Sequence, residues 1–377
     1  MEGIKTKTEE LLELSGIQLK YINGKQALDH DASLHGSIEN FIGYTQIPLG
    51  VAGPITVRGS QSTQEHLVPM ATTEGALVAS YNRGLKACNL SGGITAIAVD
   101  QAVQRSPYFK FPSIDQAIKF VDWVSAHKVN FQDFVSQSSK HAQLTALSHS
   151  HEGNAVNLTM AYTTGGAAGQ NMTTIATAMI CQYILESCPV KPMEFYIEGN
   201  FSGDKKGNLR ALSSTRGKKV IAEVTVPETV VREVLKTSPR KMHQFWQAGT
   251  LSGIQIGAVG NYGHISNALT AIFIACGQDV ATVSEAAVGI VRMELTREGA
   301  LYASLTCPNL IVGTIGGGTT LPTQKEALAL MGCSRPEDAA KFAEVCCATA
   351  LAGELSIGAA ITAGQFAQAH QQLGRKT

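Results

Sequence analysis

The sequence predicts an α+β fold divided into two domains, and three observations carry that expectation. The chain has 377 residues, of which 44% are hydrophobic, more than one compact core needs. Helical and strand-like patterns follow one another without the strand–helix–strand rhythm of a doubly wound parallel sheet. The strand-like stretches are rich in Gly, Pro and β-branched residues, which suits tight turns and half-buried strands.

In chain order, Ile4, Leu11, Leu12 and Leu14 stand among Lys, Thr and Glu and predict a short amphipathic helix over 4–15. Residues 41–59 predict strands and turns. A helix follows over about 75–88, with Thr72 and Thr73 placed to cap it. Apolar residues from Ile114 to Val124 recur at helical spacing, so 114–148 reads as mainly helical. Residues 155–162 read as a strand leading into Thr163-Thr-Gly-Gly-Ala-Ala-Gly-Gln-Asn-Met and an apolar helix to about 185. Phe195-Tyr-Ile and the alternating Lys219–Val226 read as strands. Residues 227–246, 264–278 and 337–371 read as helices, the last interrupted by Gly353, Gly358 and Gly364.

Composition narrows the function. With 30 basic and 30 acidic residues the net charge is zero, which argues against a chain whose main partner is a nucleic acid. The 8 cysteines match no zinc-site spacing and several lie among Ala, Ile and Val, so they read as free core thiols and no metal is expected. The start has no apolar signal core, and no apolar run reads as long enough to span a bilayer. A cytoplasmic chain without a membrane partner is expected.

Four polar residues stand in unusual settings. Glu74 opens an otherwise apolar helix, and Lys205 lies in the Gly203-Asp-Lys-Lys-Gly loop. Asp279 ends the apolar run from Ala268, and His370 sits in the C-terminal tail. Each has an ordinary explanation: a helix-dipole acid, a solvated lysine, a charge where a helix surfaces, an exposed tail. Spacing alone does not join them.

The surrounding segments do. Glu39-Asn-Phe-Ile-Gly-Tyr-Thr-Gln-Ile-Pro-Leu-Gly-Val-Ala-Gly-Pro, Val68-Pro-Met-Ala-Thr-Thr-Glu-Gly-Ala-Leu-Val-Ala-Ser-Tyr-Asn-Arg-Gly, Ala271-Ile-Phe-Ile-Ala-Cys-Gly-Gln-Asp, Val312-Gly-Thr-Ile-Gly-Gly-Gly-Thr and Ala352-Gly-Glu-Leu-Ser closely resemble the 3-hydroxy-3-methylglutaryl-CoA (HMG-CoA) reductase family. The Gly-Asp-Lys-Lys loop and the tail histidine resemble the branch with the eukaryotic and archaeal enzymes, here as a catalytic portion without a membrane anchor.

That resemblance implies a layout and a chemistry. A helical N-terminal region (1–40) precedes a large substrate domain (41–106 and 197–377). A small ferredoxin-like NADP(H)-binding domain (107–196) is inserted in it. The family reduces a thioester in two hydride steps to mevalonate and free CoA. By motif match Lys205 faces the developing oxyanion, Glu74 supplies a proton and Asp279 tunes both. His370 protonates the departing thiolate. Ser139 and Lys140 match positions that engage a 2′-phosphate, so NADPH is expected ahead of NADH. Gly169, Asn171 and Met172 would lie against the cofactor at a helix N-terminus, with Gly316, Gly317 and Gly318 giving close backbone approach. Arg105, Asp204, Lys206, Asn267 and His264 match residues around the acyl group, and Asn82 and Arg83 match on the Glu74 helix. The family builds its site across a subunit interface, so a homodimer or homotetramer is expected.

The chain also departs from the family. Glu198 stands where a serine is common, and Gln247 near where a lysine holds the substrate carboxylate. The cofactor segment reads Gly165-Gly-Ala-Ala-Gly-Gln-Asn-Met where the family has Gly-Asp-Ala-Met-Gly-Met-Asn-Met. These changes leave open a reductase of a related acyl thioester in specialised metabolism, or a non-catalytic nucleotide-binding homologue.

Overall fold

The computed structural model describes residues 16–28 and 38–365. The helix expected over 4–15 and His370 lie outside them. Residues 16–28 are turns and bends, held where the Glu326 carboxylate accepts from the amides of Lys20, Tyr21 and Ile22.

The strands β1 (Leu49–Arg58) and β2 (Thr63–Ala71) form an antiparallel hairpin that leads to α1 (Leu77–Leu90). Thr72 does not cap this helix as expected. Its hydroxyl accepts from the Glu74 amide at 3.0 Å, before the helix begins, and the helix starts from Ala76 at φ 70° with no side-chain cap. There follow β3 (Ile94–Arg105), β4 (Tyr108–Lys110), α2 (Ile114–His127), α3 (Phe131–Ser138), β5 (Gln143–Glu152), β6 (Ala155–Thr163), α4 (Gln170–Ser187) and β7 (Glu194–Tyr196). Then come β8 (Gly217–Val226), α5 (Glu228–Glu233), α6 (Pro239–Gln255), α7 (Ile265–Ala275), α8 (Val283–Ala286), β9 (Ile290–Leu295), β10 (Leu301–Leu310), α9 (Pro322–Leu330) and α10 (Ala339–Thr362).

Two sequence expectations are corrected here. Residues 143–148 are the edge strand β5 rather than helix, because β6 gives their backbone a partner from Gln143 to Glu152. The helix expected over 227–246 breaks before Pro239. There Ser238 accepts from the Lys241 amide and starts α6 anew.

The sheet runs β7–β4–β6–β3–β8–β10–β9, with β2 and β1 branching from β3 and β5 from β6. The long strand β3 joins its two halves. Residues 95–102 pair with β8, and Val103–Arg105 pairs with β6. Apolar side chains collect into two separate cores, one over residues 52–96 and 220–359, the other over 109–188. In the smaller half, β4, β5, β6 and β7 pair antiparallel in the order β7–β4–β6–β5, with α2 to α4 between them in sequence.

The larger core is built round α10, whose residues are nearly all buried. By length and composition the run Pro336–Thr362 could cross a membrane, contrary to the sequence reading, yet 83% of its most apolar window is buried inside the fold. Gly84 of α1 and Gly353 of α10 explain the close crossing of these helices. A methyl group at the first would strike the Ala352 carbonyl, and at the second the Tyr81 ring. Arg83 ties the same crossing by donating to the Ser356 carbonyl at 2.6 Å.

Candidate active site

The loop after β7 presents Lys205. Its φ is 56°, a left-handed conformation that costs a non-glycine residue about 1–2 kcal/mol. A hydrogen bond to a buried carboxylate explains why it persists. The Lys205 amide donates at 2.9 Å to Glu285, which is 0% exposed and paired with Arg216 at 2.5 Å. Burial pushes the Glu285 carboxyl up to about 7, against the pull of Arg216. Arg216 also meets Asp204 at 3.0 Å, and Arg105 meets Asp204 at 2.8 Å. Burial would raise the Asp204 carboxyl, but these two guanidinium groups outweigh it and hold it below its usual range. The loop backbone is thus fixed from beneath, and the Lys205 side chain reaches out over it.

That side chain meets Asp279 at 3.0 Å. Asp279 follows the turn that ends α7, and its other oxygen accepts from the Ala281 amide at 3.1 Å. Gln170, first residue of α4, donates to Asp279 at 3.4 Å and accepts from Arg216 at 2.7 Å. Lys205 and Asp279 are therefore joined within one chain, as the motifs imply.

A cleft of about 630 Å³ opens beside them, within the range of small-molecule sites. Its walls include Gly169, Asn171, Met172, Asp279, Gly316 and Gly317. The segment before α4 is locked to the glycine loop. Thr314 donates its amide to the Gly166 carbonyl at 2.9 Å, and Ala167 bridges to Ile315. Gly316 and Gly317 have φ of 79° and 54°, and a Cβ on either would meet open space. Only backbone limits approach there. The α4 N-terminus begins from Gly169 without a side-chain cap, which leaves its first amides for an anion. Ser139 and the exposed Lys140 lie in the turn before β5, next to His141, whose Cβ approaches Gly165. These features fit a dinucleotide phosphate. Among the described residues no group of three or more His, Cys, Asp and Glu side chains gathers as a metal site.

Glu74 stands elsewhere. It is exposed, and its carboxylate accepts from Asn267 at 3.3 Å. His264 caps the same end of α7; its amide and that of Gly263 each donate to Glu354 at 2.6 Å. A helix rises about 1.5 Å per residue, so about 12 Å separates Asn267 from Ala275, and Asp279 lies beyond. One chain therefore brings together two groups: Lys205, Asp279, Asp204 and Arg105 at one end of α7, and Glu74, Asn267 and His264 at the other. A carboxyl that delivers a proton near neutrality needs burial to raise its pKa, and the exposed Glu74 does not get that burial from its own chain. Asn82 accepts from the Gly53 amide at 2.8 Å, and Lys206 donates to the Asp204 carbonyl at 2.8 Å, both local ties.

Sequence reasoning misses Gln170, Arg216 and Glu285. Two signals are available: the Gln170 departure from the family's methionine, and a charge in an apolar run, Val283-Ser-Glu-Ala-Ala-Val, which spacing cannot pair with an arginine 69 residues away.

The sequence profile of the family described as hydroxymethylglutaryl-coenzyme A reductase matches residues 3–375. The 3-hydroxy-3-methylglutaryl-coenzyme A reductase of Pyrococcus abyssi is 41% identical over 96% of this chain and 90% of its own length. That of Methanocaldococcus jannaschii is 38% identical over 96% and 90%. Among solved structures, the class II reductase of Streptococcus pneumoniae bound to NADPH superposes with a TM-score of 0.75 at 17% identity, covering 94% of this chain and 96% of that one. That likeness speaks to the mixed α/β fold and its antiparallel sheet. Profile match and relatives together establish that this chain belongs to the HMG-CoA reductase family.

Proposed function

We propose that the chain reduces the thioester of HMG-CoA to mevalonate and CoA with NADPH, ahead of NADH. The observation that carries this reading is the Lys205–Asp279 pair at 3.0 Å beside a glycine-walled cleft, in a chain of this family. NADPH, when bound, supplies the hydride. The chain supplies position and charge. Lys205 offers an ammonium to the oxygen on which charge develops, and Asp279 holds that ammonium in place. Glu74 delivers a proton to the same oxygen and His370 one to the departing thiolate. Arg105, Asp204, Lys206, Asn267 and His264 hold the acyl group. Ser139 and Lys140 would meet the 2′-phosphate, with Gly169, Asn171, Met172, Gly316 and Gly317 against the rest of the cofactor.

The separation of Glu74 from Lys205 supports a site completed between two chains, in a homodimer or homotetramer. Exposed apolar side chains at the end of α6, with Ile254 70% and Ile256 83% exposed, offer surface for such a contact. Residues 107–196 are read as an inserted ferredoxin-like cofactor domain. The β–α–α–β–β–α–β order of that half, with α2 and α3 together in the place of the first helix, its strand order and its separate core support this.

The test is turnover by the purified chain with HMG-CoA and NADPH or NADH, product identified as mevalonate. NADPH-dependent turnover supports the proposal; none with either cofactor, from folded protein that binds NADPH, removes it.

A further inference from the structure

We propose that Gln170 is a positioning residue for the Lys205–Asp279 pair, linking it to the buried Arg216–Glu285 pair and to the helix on the cofactor side of the cleft. The inference rests on the proposed function for its readout in turnover, but its geometry stands alone. Five residues close a ring. Lys205 meets Asp279 at 3.0 Å, and Asp279 accepts from the Gln170 amide nitrogen at 3.4 Å. The Gln170 amide oxygen accepts from Arg216 at 2.7 Å. Arg216 meets Glu285 at 2.5 Å, and Glu285 accepts the Lys205 amide at 2.9 Å. The lysine is thus held twice, by its ammonium through Asp279 and Gln170, and by its backbone through Glu285.

The residue type fits this place. A carboxamide offers a donor to the aspartate and an acceptor to the arginine at once, and keeps both whatever the pH. A thioether of similar length offers neither. A carboxylate would keep the arginine and repel the aspartate. Gln170 also begins α4, and its carbonyl accepts from the Thr173 and Thr174 hydroxyls, so its backbone is fixed independently of its side chain. It lines the cleft between Gly169 and Asn171. Arg216, only 2% exposed, is already engaged by Glu285 and Asp204, and Gln170 carries its contact on to Asp279.

The test compares Gln170→Met and Gln170→Glu with wild type. Met keeps the side-chain volume and helix start and removes both polar contacts. Expected for Gln170→Met is a kcat lower by about ten- to a hundredfold, the cost of a misplaced reacting group. KM for HMG-CoA, the dissociation constant of NADPH and the melting temperature should stay close to wild type. Gln170→Glu should also lose kcat, since it repels Asp279. A crystal structure of Gln170→Met should show the Lys205–Asp279 ion pair broken, a readout that does not depend on turnover. Wild-type kcat in both variants with the ion pair intact would overturn the proposal. Loss of NADPH affinity with kcat kept at saturating cofactor would overturn it too, assigning Gln170 to cofactor binding. If wild type itself fails to turn over HMG-CoA, the proposed function fails, and the crystal structure still decides the role of Gln170.

Discussion

Replacing Lys205 with methionine should separate catalysis from stability. The two ends of the Lys205–Asp279 pair are 45% and 42% exposed, so the ion pair contributes less than about 1 kcal/mol to folding. The lysine backbone is held through Glu285 whatever the side chain, and methionine keeps the apolar stem. Melting should shift by no more than about 4 °C, the scale of a 1 kcal/mol change in a chain of this kind. The ammonium instead acts where charge develops in the transition state. Removing such a donor costs on the order of 10²–10³ in rate, or about 2.7–4 kcal/mol. Cofactor oxidation at saturating NADPH and HMG-CoA, beside a thermal melt, reads both quantities. A variant keeping more than about a tenth of wild-type kcat would refute the charge-stabilising role. A large drop in melting temperature together with activity would show that the loop, rather than the charge, had been removed.

Three further outcomes are expected. Co-expressed Glu74→Ala and Lys205→Ala chains, each inactive alone, should recover about a quarter of wild-type activity, because half of random dimers carry one intact shared site; no recovery would place both residues in a single-chain site. Glu198→Ser should lower KM for HMG-CoA several-fold, since Glu198 stands 3.9 Å from Arg105 and offsets a cation matched to the acyl-group site, which makes the substrate's own carboxylate less welcome; an unchanged or raised KM would assign Glu198 a favourable contact. Lys218→Met should show a pH-dependent stability difference. Lys218 is 3% exposed, donates to the Val312 carbonyl at 3.0 Å, and burial pushes its ammonium down to about 8. A lysine whose folded pKa is depressed destabilises the fold below that value and ceases to as pH rises towards its unfolded value. Wild type should therefore gain on the variant by roughly 2–3 kcal/mol between about pH 7 and pH 10; denaturant unfolding at the two pH values, showing a constant difference, would contradict this.

How much of the molecule is legible in its sequence depends on the range of the forces involved. Local patterns announce β6, β8, α2, α4 and α7, because alternation and helical spacing act over neighbouring residues. The β9–β10 hairpin and α9 give no such pattern, and β5 resembles helix, since an edge strand is decided by its partner β6. The site follows the same division. Family segments single out Lys205, Asp279 and Glu74, with Asp279 tuning both of the others; in the fold Asp279 meets Lys205, and Glu74 meets Asn267. The ring through Gln170, Arg216 and Glu285 depends on residues brought together by the sheet and α4, and no spacing encodes it. The distance from Glu74 to Lys205 is equally invisible, because it is set by the length and direction of α7.

The measurement closest to the central claim is steady-state oxidation of NADPH by the purified chain in the presence of HMG-CoA, with the product identified. Two NADPH should be consumed per mevalonate formed, the requirement of a four-electron reduction by a two-electron donor, with turnover abolished by Lys205→Met. Folded protein that binds NADPH but yields neither mevalonate nor cofactor oxidation would contradict it.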